Sequence, residues 1–179
     1  MHGATRRVAL LSTMAAIFAP LSAKAYYQIW QLISPELVAI GLWVAADDRA
    51  LAALVQAEEG ERALVEYTSA KLQEGGVAIP VMERSGKVPP EVHAENIVYA
   101  NLRADLQPSD TKDGPPILGS AQVIFERNAP PRPSLHPSTY PHTLFTASRD
   151  AGDLSAKVLA AAKMQLDRTL IPQLIAEKR

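Results

Sequence analysis

Histidines, serines at turns and clustered carboxylates are the residues of this 179-residue chain that could carry chemistry. Of the four histidines (His2, His93, His136, His142), two share the stretch Leu135-His136-Pro137-Ser138-Thr139-Tyr140-Pro141-His142. They could ligate a metal if Asp150, Glu126 or His93 came near, yet their spacing matches no compact metal motif. Two ligands on a flexible arm leave coordination incomplete, so imidazoles on an exposed or docked loop are the favoured reading.

Serine nucleophiles need a tight turn and a base in reach. Arg84-Ser85-Gly86 and Gly119-Ser120-Ala121 lack the flanking glycines of Gly-x-Ser-x-Gly, so Ser85 reads as a turn residue and Ser120 as a strand residue. Glu58-Glu59-Gly60-Glu61 is better explained by the positive end of a helix than by an acid/base pair. Gly75-Gly76 has neither the further glycines nor the lysine of a phosphate loop. With no cysteine, disulfides, thiolate metal sites, a cysteine nucleophile and lipid attachment at an export signal are all excluded. The chain therefore reads as a non-enzyme without a cofactor.

What remains is surface. Val98, Ala100, Leu102, Ala104 and Leu106 alternate with Ile97, Tyr99, Asn101, Arg103 and Asp105, and a second run sets Ala121, Val123 and Phe125 against Ser120, Gln122, Ile124 and Glu126. Joined through Pro108–Pro116, the two runs predict a long antiparallel hairpin with one apolar and one mostly polar face. Tyr99, Asn101, Arg103, Gln122 and Glu126 on the polar face are candidate partner contacts. The plainer reading is a solvated face with cross-strand charge pairs such as Arg103 with Glu126.

The elements around this hairpin follow from pattern. Leu37–Ala46 reads as a central strand buried on both faces. Asp47 or Asp48 can cap a helical Ala50–Ala57, which Gly60 is expected to interrupt, and Glu61–Glu74 reads as a firm amphipathic helix stopped by Gly75-Gly76. Val77–Met82 reads as a strand that Pro80 limits to a sheet edge or places at the strand's start, parallel to the first through a βαβ crossover.

The segment Asn128–Pro141, with Pro130, Pro131, Pro133, Pro137 and Pro141, reads as an extended surface arm with Tyr140 and His142 as contacts. Leu154, Val158, Ala162, Leu166 and Leu170 predict a last helix from Asp150 or Asp153 that Pro172 bends or restarts, with residues 173–179 fraying. The expected fold is α+β, a two-layer sandwich: a mixed four-stranded sheet in the order β-α-β-β-β-α with two helices on one face.

Residues 1–25 read as a cleavable export signal. Arg6 and Arg7 precede an apolar run too short to span a bilayer, and Ala23-Lys24-Ala25 suits cleavage after Ala25. The general secretory route is favoured over the twin-arginine route, because Ala9 replaces a large apolar residue; retention as an N-terminal anchor is the alternative. Residues 26–179 then form a single domain in which Tyr26–Ile33 packs and the arm spans 128–141.

Removing 1–25 leaves 15 basic and 19 acidic side chains, a net charge of −4, with scattered cations that argue against nucleic acid as a partner. No membrane span is expected in the mature chain. The sequence thus predicts a periplasmic or secreted binding or accessory protein, whose partner is another envelope protein or a small ligand. The alternative is a small exported enzyme or metal carrier using His136 and His142.

Overall fold

The computed structural model of the chain describes residues 35–109, 116–127 and 142–176. The export segment, Tyr26–Ile33 and the arm with His136 and Tyr140 lie outside these residues. The elements are β1 (Leu37–Ala46), α1 (Arg49–Ala53), α2 (Ala57–Glu74), β2 (Val81–Glu83), a 3₁₀ turn (Ala94–Asn96), β3 (Ile97–Pro108), β4 (Ile117–Arg127), β5 (Thr143–Ala147), α3 (Ala151–Arg168) and α4 (Leu170–Ala176).

The sheet is mixed, in the order β2-β1-β3-β4-β5, with β2, β1 and β3 parallel and β4 and β5 antiparallel to their neighbours. The fold is the expected α+β arrangement, with five strands instead of four. The added strand is Thr143–Ala147, a five-residue run hidden between the arm and the last helix, and its Thr143 pairs with Ala121.

Pleating sends alternate residues to opposite sides. Val38, Ile40, Leu42, Val98, Ala100, Leu102, Ala104, Leu106, Ile117, Ala121, Val123 and Phe125 share the face that carries the helices, and all are buried. Leu64, Thr68 and Leu72 of α2 and Leu154, Val158, Ala162 and Leu166 of α3 are the buried helical residues over them. On this face Gln165 Nε2 donates to Thr143 Oγ1 at 2.7 Å, tying α3 to the new edge strand.

The restart expected at Pro172 is present, and three expectations about element limits are corrected, each for a physical reason: Gly60 as a helix breaker, fraying after Pro172, and strand over residues 77–80. Gly60 lies inside α2, where a Cβ would sit 2.8 Å from Leu42 Cδ2; the missing side chain lets the helix approach β1 closely. Pro172 acts upstream: it cannot donate to the carbonyl of Arg168, and α3 ends at that residue. The chain restarts as α4 with Pro172 at its third position, and Leu174 is buried, so residues 173–176 are packed helix and not a frayed end. Residues 77–80 are not strand. Pro80 contributes only its carbonyl, which accepts from Val38 N at 3.0 Å, and β2 begins at Val81.

Aspartates start the outer helices as their side chains allow. Asp48 accepts from Ala50 N at 2.9 Å. Asp150 accepts from Asp153 N at 2.9 Å, while Asp153 accepts from Ser148 N at 2.7 Å, a bond that holds the Asp153 carboxyl below the usual range. No helix among the described residues is long and apolar enough to cross a membrane.

Candidate functional site

The face opposite the helices is laid out by the strand register. One row holds Ala39, Tyr99 and Glu126, the next Gly41, Asn101 and Ile124, the next Trp43, Arg103 and Gln122, and the next Ala45, Asp105, Ser120 and Leu144. Gln107 and Leu118 follow beyond them. This face is not uniformly open. Val88 and Val92, from the chain between β2 and β3, pack with Met82 and Tyr99 on Leu37, Ala39 and Ile97. That cover explains why β1 is buried on both faces only from Leu37 to Leu42, while Trp43 is 46% exposed.

At the boundary between covered and open parts lies Arg84. Its backbone continues the β2–β1 ladder, donating to Ile40 O at 2.7 Å, so its side chain starts beside Gly41. A Cβ on Gly41 would be 3.1 Å from Arg84 Cδ; the glycine leaves a channel through which the arginine crosses β1. The guanidinium then rests 5.0 Å from the Trp43 ring centroid and 5.1 Å from that of Tyr99. Its Nη1 donates to Asn101 Oδ1 and, at 3.1 Å, to Glu126 Oε2. One side chain thereby links β2 to β1, β3 and β4.

Glu61 of α2 fixes where that side chain begins. Its Oε2 accepts from Leu42 N at 3.2 Å, supplying an acceptor where β2 runs out, and its Oε1 accepts at 3.0 Å from Arg84 N, which shares its proton with Ile40 O. Instead of an acid/base pair or a simple helix-start charge, Glu61 is a bracket between helix and sheet.

The candidate contacts do not form one cluster. Tyr99, Asn101 and Glu126 come together around Arg84. Asn101 is only 3% exposed and Gln122 only 8%, so neither is the open polar contact that the alternation predicted; Asn101 is bonded to the guanidinium that crosses to β4. Arg103 is exposed as expected, but its partner is not Glu126. The register sets Arg103 against Gln122, and Arg103 donates to Asp105 Oδ1 through Nε at 2.9 Å and Nη2 at 2.8 Å. His142 is exposed and immediately precedes β5. Tyr140 lies outside the described residues.

Arg84 and Trp43 are the contributors that reading by alternation missed. A signal existed: Gly41 is the one residue without a side chain inside the apolar run Leu37–Ala46, and such a glycine marks the close approach of another group. Leu118 and Leu144, 46% and 79% exposed, complete the apolar content of the same face. Aromatic, arginine and aliphatic groups among small polar ones can make contact with a partner surface.

Among the described residues no group of three or more His, Cys, Asp or Glu is placed to hold a metal ion. No family model, no curated protein and no solved structure matches the chain.

Proposed function

We propose that the chain is an exported, non-catalytic binding or accessory protein, cut after Ala25 and working in the periplasm by contact through its open sheet face and Pro-rich arm. The observation supporting this reading is that Trp43, Leu118 and Leu144, all exposed, stand on one sheet face together with Arg84 and Arg103. The helices occupy the opposite side of the sheet. Arginine and tryptophan are the residues that most often dominate contact energies, and three large exposed apolar side chains on one face incur a solvation cost that a partner removes.

Affinity capture from an envelope extract tests the proposal. Trp43→Ala and Leu144→Ser are expected to lose bound material that Met164→Ser, at an exposed helix position, retains. Deleting residues 130–140 should weaken capture while leaving the fold nearly intact, and the exported form should begin at Tyr26. Equal capture by all variants would remove the sheet face from the reading. Zinc binding abolished by His136→Ala would replace it with a metal carrier.

A further inference from the structure

The open face is self-complementary about a line that crosses the strands between the Arg103 row and the Asp105 row. If a second copy is turned over this line, each row meets its mirror. Arg103 faces the second copy's Asp105, Trp43 faces its Ala45, Gln122 faces its Ser120 and Ile124 faces its Leu118. Every contact occurs twice, as a two-fold interface requires. Charge meets countercharge, and aliphatic meets aliphatic. Turned instead about a line along the strands between β3 and β4, the same face would set Arg103 on Gln122 and Asp105 on Ser120, leaving both charges unmatched.

The rest of the face fits this orientation. The shoulder built by Val88 and Val92 covers only the Leu37, Ala39 and Ile97 end. Those residues lie outside the four rows that meet in the two-fold arrangement. The Arg103–Asp105 pair within one chain is exposed, so exchanging it for two pairs between copies sacrifices little.

We propose that the open face binds a second copy of this chain, by two-fold face-to-face packing of the sheets centred on Arg103 and Asp105. The proposal rests on the reading of this face as a contact surface, and names its partner. Four rows across the strands cover about 20 Å by 15 Å, roughly 600 Å² over both copies and below the size of a standard specific interface, so the dimer is a weak, transient one that forms at concentrations on the order of 100 µM.

Sedimentation of the full chain from below to above that concentration tests it. Wild type should pass from monomer to dimer. Arg103→Glu and Asp105→Arg should each weaken the dimer about tenfold or more, because like charges then meet at the two-fold. The double variant Arg103→Glu/Asp105→Arg should recover it, since the reversed charges again face their opposites. Circular dichroism of each variant excludes loss of fold as the cause.

A chain monomeric throughout, single reversals that leave the dimer intact, or a double variant that stays monomeric would each overturn the proposal. Failure here is distinct from failure of the functional reading. A monomer whose envelope capture still depends on Trp43 refutes the second copy as the occupant and keeps the contact surface.

Discussion

Arg84 crosses the sheet directly over Gly41, its Cδ 3.1 Å from where a side chain on that glycine would begin, and Trp43 Cη2 is equally near. A methyl group there must push both neighbours. Gly41→Ala is expected to cost about 1–3 kcal/mol in chemical denaturation, the range of an overpacked site. In a Trp30→Phe background the emission of Trp43 reports the displacement directly. Unchanged emission with unchanged stability would show that the channel is not needed.

Arg84→Ala should act on the same site from the other side, by leaving the buried Asn101 oxygen without its charged donor. A loss of about 2 kcal/mol is expected, with most of it shared in a double-mutant cycle with Asn101→Ala. Arg84→Lys should recover only part, because one ammonium cannot lie flat between two rings and bond two acceptors. Full recovery by lysine would assign the effect to charge alone.

The Glu61 bracket makes a local prediction. Glu61→Gln keeps one carbonyl oxygen for two backbone donors and turns an NH₂ toward the other. About 1.5–3 kcal/mol should be lost. Hydrogen exchange at the Leu42 amide should accelerate, whereas the Arg84 amide, which keeps Ile40 O as acceptor, and that of Leu102 inside the sheet should change little. Uniform acceleration would mean global destabilisation and no bracket.

The parts of this molecule legible in its sequence are those where pattern and burial coincide. The β3–β4 hairpin places an apolar or small residue at every second position of the helix-covered face, and its limits, Pro108 and Ile117, sit where the proline-bounded loop was read. The α3 stripe from Leu154 to Leu166 was equally plain, because one face is buried throughout. What escaped depends on pairs distant in sequence. Gly60 reads locally as a breaker until Leu42 is placed against it, and Pro172 reads as a break at its own position until the carbonyl four residues earlier is counted. Arg84 belongs to no periodic pattern, since it lies just past a three-residue strand. Its role exists only once β2 is aligned beside β1 and Gly41 becomes its neighbour.

Between α2 and α3, Tyr67 donates its hydroxyl to Asp167, 2.7 Å from both carboxylate oxygens, while Lys163 lies 5.0 Å from the ring centroid. Partial burial and the Asp167 carboxylate push the phenol up to about 12. An unfolded tyrosine loses its proton near pH 10, so the stability from this link is complete below pH 10 and is lost as pH rises toward 12. Exposure limits it to about 1 kcal/mol. Tyr67→Phe should be less stable than wild type at pH 8, and the difference should vanish by pH 12. A difference constant in pH would mean that the contact is one of packing only.

Adjacent residues of β3 test which face the helices cover. Leu102 has none of its surface exposed and pairs with Val123 under the helices, while Arg103 stands on the opposite face in a pair with Asp105. Leu102→Ala removes buried aliphatic volume from the middle of the core and is expected to cost about 2–5 kcal/mol. Arg103→Ala removes an exposed ion pair and should change stability by no more than about 0.5–1 kcal/mol. Because side chains alternate strictly along a strand, a slip of one residue would exchange the two results, so their order under urea measures the register itself. Equal costs would place Arg103 in a packed environment that the open face does not provide.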